Sequence, residues 1–135
     1  MRYADTDASG RIHYTAMLRH FEAAEIEFMR SLALERTYLE QEMRGMQFPR
    51  VRVECNYTAF VRFDDLLRIA VSVERIGNTS YTLAFDVRVK ETAVAQGRIV
   101  VVCVDLATNR SRPLPDVLRS ALQNHQMGDS AKVGG

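Results

Sequence analysis

From residue 14 the apolar positions fall three and four apart, at Tyr14, Met17, Leu18, Phe21, Ala24, Phe28 and Leu32, with Arg19, His20, Glu22, Glu25, Glu27 and Arg30 between them. That spacing gathers the apolar side chains on one stripe and predicts a long amphipathic helix with Glu22, Glu25 and Glu27 on its solvated face. A weaker helical pattern over Tyr38–Arg44 stops at Gly45. From about residue 47 the period drops to two. Val51, Val53 and Cys55 alternate with Arg52, Glu54 and Asn56, Phe63-Asp64-Asp65 marks a turn, and Leu66–Arg75 alternates again. Gly77-Asn78-Thr79-Ser80 is the next turn signal, followed by Tyr81–Lys90 with Leu83, Phe85, Val87 and Val89 on one face. After a break near Glu91-Thr92, Ala93–Asp105 contains the run Ile99–Val104, which reads as a central strand buried on both faces. The basic, proline-punctuated segment Asn109–Pro115 precedes Asp116, which reads as the N-cap of a short closing helix from Val117 to about Asn124.

One long helix followed by four or five strands joined by short turns predicts an α+β fold, an antiparallel meander wrapping the helix's apolar stripe. A strand apolar on both faces needs cover on both, which predicts more than one helix against the sheet and a homo-oligomer. At 135 residues the chain has room for one core, taken here as a single domain over residues 1–125. Residues 126–135 offer almost no apolar surface to offset the entropy of ordering them and predict a disordered tail.

Charge narrows the partners. Eighteen basic and 17 acidic residues leave a net charge of +1, too little for a global field that would steer the chain to nucleic acid or an anionic membrane. No run approaches the roughly 18 apolar residues of a membrane span, and acids stand near the N-terminus where a signal peptide would be apolar. Cys55 and Cys103 both sit in apolar alternating stretches, which suits buried free thiols in a reducing compartment and hence a cytoplasmic protein.

The chemistry concentrates ahead of the long helix. Asp5-Thr6-Asp7-Ala8-Ser9-Gly10 supplies two carboxylates and a small-residue turn, and Arg11-Ile12-His13-Tyr14 leads into the helix. An ionised Asp then lies near a helix N-terminus, where unpaired N–H groups and partial positive charge can hold an oxyanion. The same residues imitate the first half of an EF-hand loop, but its twelfth position, a bidentate Glu, is Ala16 here, which argues against calcium. His13, His20 and His125 form no metal-ligand spacing.

Residues 2–14, with Phe21-Glu22-Ala23-Ala24 on the helix, resemble the signature of hotdog-fold acyl-CoA thioesterases of the 4-hydroxybenzoyl-CoA thioesterase type. Val53–Tyr57, Phe63–Leu67, Gly77–Tyr81, Gly97–Asp105 and Arg112–Pro115 resemble that family's later blocks, in the same order, over nearly all of residues 2–122. The resemblance implies a hotdog fold, with one long central helix wrapped by an antiparallel sheet, that hydrolyses an acyl-CoA to the free acid and CoA. It implies Asp7 as nucleophile or general base and the backbone N–H of Tyr14 as oxyanion donor, with the Tyr14 ring lining the acyl pocket. Tyr14 occupies the position where part of the family carries an active-site His, and His13 becomes a candidate substrate-facing residue. By the same resemblance Arg110 and Arg112 meet the CoA phosphates, a task suited to forked guanidinium groups. Asn78, Thr79 and Ser80 form a CoA-contacting loop, Asn78-Thr79 standing where one branch has Arg-Lys. Glu25 is a reserve carboxylate, since a helix Glu is the catalytic acid in another hotdog branch. No metal or redox cofactor is implied, CoA being part of the substrate, and the expected assembly is a dimer or a homotetramer built as a dimer of dimers. Two alternatives stay open: a non-catalytic acyl-CoA-binding module, and a thioesterase whose acyl group arrives on acyl carrier protein.

Overall fold

In the structure, a computed structural model that describes residues 16–32, 44–62 and 64–126, the two-residue period becomes antiparallel sheet. The helix α1 spans Ala16–Ser31 and is followed by β1 (Met46–Gln47), β2 (Arg50–Tyr57), β3 (Leu67–Ile76), β4 (Ser80–Val89) and β5 (Thr92–Val102). The short strands β6 (Val104–Asp105) and β7 (Arg110–Ser111) and the helix α2 (Asp116–Gln123) close the chain. The main sheet runs β2-β5-β4-β3, and a smaller one runs β1-β6-β7. The expected helix over Tyr38–Arg44 lies outside the described residues except for Arg44, which precedes Gly45 at φ +79°.

The core forms where strand alternation meets the helix. Tyr81, Leu83, Phe85 and Val87 of β4 are buried, and Leu83, Phe85 and Val87 stand opposite Ile99, Gly97 and Ala95 of β5. Phe21 of α1 stacks on Phe85 with ring centroids 4.6 Å apart, in the space that Gly97 leaves by having no side chain. Leu118, Ala121 and Leu122 of α2 join the same cluster, so two helices cover this face.

The stripe of α1 is rotated from the expected one. Met17, Phe21, Glu25, Phe28 and Leu32 face inward, whereas Leu18 is 39% exposed. Glu22 and Glu27 are solvated as expected, but Glu25 is buried. A carboxylate on that face is tolerated because a guanidinium from β2 meets it, and burying it unpaired would be costly.

The run Ile99–Val104 is not one strand buried on both faces. Ile99, Val101 and Cys103 are buried while Val100 and Val102 are half-buried. The strand stops at Val102, because the Cys103 N–H turns to the Thr79 carbonyl and Val104 pairs with β1 and β7 instead. The outer face of the main sheet is polar: Arg98 of β5 reaches over the methyl of Ala84 on β4 to Glu74 of β3 at 2.8 Å. Half-solvated pairs of this kind add little stability but keep that face compatible with water.

Two expected boundaries shift. The N-cap of α2 is Pro115, with no side-chain cap bond, and Asp116 is the first helical residue. The fixed φ of proline suits that position, and Asp116 offers charge to the helix dipole rather than a capping bond. Gln126, assigned to the tail, bridges in parallel to Val73 of β3; residues 127–135 lie outside the described residues. Cys55 and Cys103 are free thiols, Cys103 buried with its Sγ 3.6 Å from Met46 Sδ. Among the described residues no helix is long and apolar enough to cross a membrane.

Candidate active site

Asp7, His13 and Tyr14 lie outside the described residues, which begin at Ala16, two positions beyond Tyr14. Asn78, Thr79, Ser80, Arg110 and Arg112 are all described and the fold brings them to one rim, whereas Glu25, the reserve carboxylate, lies apart from it between α1 and β2. The turn joining β3 to β4 is closed by the Gly77 N–H donating to the Ser80 carbonyl at 2.7 Å. Its other carbonyls are taken from below. The Thr79 carbonyl accepts from Cys103 N–H at 2.8 Å, the Asn78 carbonyl from Leu114 N–H at 3.0 Å, and Arg119 Nη2 of α2 donates to the Gly77 and Asn78 carbonyls at 3.0 and 2.8 Å. The backbone of Asn78, Thr79 and Ser80 is thereby held by three separate segments, while the Asn78 side chain is exposed.

Cys103 links this turn to the arginines, since its carbonyl accepts from Arg112 N–H at 2.9 Å. Arg110 and Arg112, two residues apart on an extended segment, share one side of it. Arg110 is exposed and stands opposite Asp105, and Arg112 Nη1 is 3.7 Å from Asp105 Oδ2. Asp105 also accepts from Ala107 N–H at 2.8 Å, which shapes a turn ending at Asn109 with φ 59°, a left-handed conformation that Asn tolerates. A phosphate arriving here would meet an exposed Arg110 and an Arg112 already partly neutralised.

A second feature lies between α1 and β2. A groove of about 300 Å³ has apolar walls from Leu18, Val53 and Ile99 and charged side chains from Arg19, Glu22, Glu25 and Arg50. Arg50 Nη2 donates to Glu25 Oε2 at 2.5 Å and Arg50 Nη1 to the Phe48 carbonyl at 2.7 Å. Behind them the buried Tyr81 is pushed well above the usual phenol range, first by burial and then by the negative charge of Glu25, with Arg50 partly offsetting. Tyr57 is raised to about 12, mainly by burial, with Cys55 adding to the rise. Both stay protonated phenols at neutral pH and cannot serve as bases there.

Burial is also the leading cause that raises the thiols of Cys55 and Cys103, which leaves both as thiols rather than attacking thiolates. Among the described residues no group of three or more His, Cys, Asp or Glu could hold a metal ion. The described residues therefore supply walls, charges and a fixed rim, and none of them is an activated nucleophile.

The Glu25–Arg50 pair is what sequence reading missed. Its signal was present in the spacing, because Glu25 lies four after Phe21 and three before Phe28, on the row that faces the sheet. Arg50 carried no such signal, since its direction depends on a bulge in β2 against β5.

An antiparallel sheet sharing one core with α1 and α2 defines a hotdog-like thioesterase fold. The chain belongs to the thioesterase-like superfamily, whose family profile matches residues 1–122. It is thus a thioester hydrolase by membership. It is 30% identical over 116 residues to the Escherichia coli acyl-CoA thioester hydrolase YbgC, covering 84% of each chain. It is 27% identical over 132 residues to a 1,4-dihydroxy-2-naphthoyl-CoA hydrolase of Synechococcus, covering 95% of this chain and 89% of that one. A solved structure from Bacillus stearothermophilus, named a predicted thioesterase, superposes with a TM-score of 0.78 at 28% identity, covering 96% and 94% of the two chains.

Proposed function

We propose that this chain hydrolyses an acyl-CoA thioester to the free acid and CoA, with Asp7 as the carboxylate that attacks the carbonyl or activates water. The observation that carries this reading is the 30% identity to an acyl-CoA thioester hydrolase across 84% of both chains. The oxyanion formed at the thioester carbonyl is met by the backbone N–H of Tyr14 at the start of the central helix, a donor of a kind worth about 3 kcal/mol of barrier. The Tyr14 ring and His13 face the acyl group. Water adds across the C–S bond, the acid takes the oxygen and CoA leaves as the thiol. No oxidation state changes, so the reaction needs no redox cofactor, and CoA enters as part of the substrate. The raised thiols of Cys55 and Cys103 favour a carboxylate route over a cysteine one. Release of free thiol, screened across short, long and aromatic acyl-CoAs, tests the reading, and absence of release from all of them would overturn it.

In the same reading the CoA nucleotide lies along the rim made by Asn78, Thr79, Ser80, Arg110 and Arg112. The support is geometric, since Cys103 ties the turn and the arginine segment into one unit. Arg112→Ala is expected to raise KM for acyl-CoA roughly tenfold, the loss of one charge-assisted contact, while a short thioester without the nucleotide changes little. Steady-state kinetics on the two substrates checks this, and equal effects on both would remove the phosphate contact.

The protein acts as a homo-oligomer, assembled through β2 into a dimer or a dimer of dimers, in the cytoplasm. Among the described residues β2 is an edge strand of eight residues whose Val51 and Val53 are 60% and 46% exposed, an apolar edge of a kind that proteins rarely leave open. Antiparallel self-pairing centred on Val53 would set Arg52 opposite Glu54 of the partner subunit. Val53→Arg places like charges on the dyad and is expected to halve the molar mass measured by sedimentation. An unchanged mass would exclude this edge.

A further inference from the structure

Arg119 rises half-buried from α2, and among the described residues no carboxylate meets it; its hydrogen bonds go to backbone carbonyls. A single nitrogen, Nη2, donates to the Gly77 carbonyl at 3.0 Å and to the Asn78 carbonyl at 2.8 Å, so the two carbonyls converge and point the same way. Across a trans peptide the carbonyl and the following N–H point in opposite directions, and the described residues contain no cis peptide. The N–H groups of Asn78 and Thr79 are therefore both turned away from α2, and neither has an acceptor among the described residues. The Asn78 carbonyl is also held by Leu114 N–H, but among the described residues the Gly77 carbonyl is held by Arg119 alone. The direction of the Asn78 N–H thus depends on this one side chain.

We propose that Arg119 is a positioning residue for the nucleotide end of the substrate: from beneath the rim it fixes and polarises two peptide units whose outward N–H groups, those of Asn78 and Thr79, receive a phosphate. The inference rests on the reading above that the CoA nucleotide lies along this rim, and deepens it. Successive backbone N–H groups that share one direction form an anion-binding nest. A carbonyl that accepts from a cation makes the N–H of the same peptide a stronger donor, so the guanidinium acts on the ligand through the turn without touching it. The turn Gly77-Asn78-Thr79-Ser80 carries no charge of its own, and Arg119 supplies one from below. With no carboxylate to cancel it among the described residues, that charge favours an anion on the far side of the turn.

The test measures, by calorimetry on the full-length protein, the binding of S-hexyl-CoA and S-hexyl-pantetheine, non-hydrolysable thioethers that differ by the nucleotide and its phosphates. Arg119→Met is expected to weaken S-hexyl-CoA about tenfold and S-hexyl-pantetheine by less than about twofold. Arg119→Lys keeps a charge and a donor and is expected to lie between Arg119→Met and the wild type. A role confined to holding α2 against the turn would weaken both thioethers alike. Equal weakening of the two, no weakening of either, or a wild type that binds them equally overturns the assignment. Should Arg119→Met melt below the assay temperature, the ratio of the two affinities in Arg119→Lys decides by the same rule. Thiol release from hexanoyl-CoA by the wild type is followed in parallel. A nucleotide-selective loss without release in the wild type would sink the hydrolase reading and leave Arg119 in its role, whereas release with equal weakening would overturn the role of Arg119 alone.

Discussion

Asp7→Asn is expected to leave the protein folded and to lower thiol release from acyl-CoA by about 10³-fold or more. Asn keeps the size and turn-forming capacity of Asp, so the backbone has no reason to change. What is lost is the negative charge. An amide can neither attack a thioester carbonyl at a useful rate nor take a proton from water, and the described residues hold no thiolate that could substitute. The measurement is kcat with a thiol reagent on a variant whose melting temperature matches wild type. Full turnover in a folded Asp7→Asn protein would move the chemistry elsewhere. A single turnover in oxygen-18 water separates the two roles of the carboxylate, because label entering the Asp7 side chain identifies the nucleophilic route.

The largest effect on stability is expected at Gly97. A Cβ built there would lie 2.5 Å from Phe21 Cζ, closer still to Phe21 Cε2, and 2.8 Å from the Glu54 carbonyl oxygen. Neither neighbour can yield cheaply. Phe21 is fully buried and stacked on Phe85, and the Glu54 carbonyl belongs to the β2–β5 ladder, where Cys55 pairs with Gly97 and Glu54 with Arg98. Gly97→Ala should therefore cost about 3 kcal/mol and lower Tm by roughly 10 °C. Phe21→Leu in the same chain should restore part of it. A melting temperature unchanged by Gly97→Ala would mean that α1 does not press on the sheet at this point.

The legible parts of this protein are those that one element displays alone. The spacing of Met17, Phe21 and Phe28 announced α1, and the alternation Leu83-Phe85-Val87 announced β4 with its inner face. The turn at Gly77–Ser80 was marked by its own residue types, and the free state of both cysteines by their apolar neighbours. The ordered blocks from Arg2 to Pro115 were enough to indicate the family, which the profile match over residues 1–122 bears out. Assigning Asp116 as a cap failed because Pro115 fills that place with its ring geometry, a competition that residue preference alone does not rank.

By itself, then, the sequence determined the class of chain and the order of helix and strands, because each is written in local spacing or in contiguous motifs. The tertiary structure decided which side of α1 faces the sheet, where the run Ile99–Val104 breaks, and that Arg50 turns inward to Glu25, 25 positions away. Periodicity counts residues within an element, whereas the direction of a bulged strand and the burial of a charge depend on what pairs beside them. No single segment carries that information.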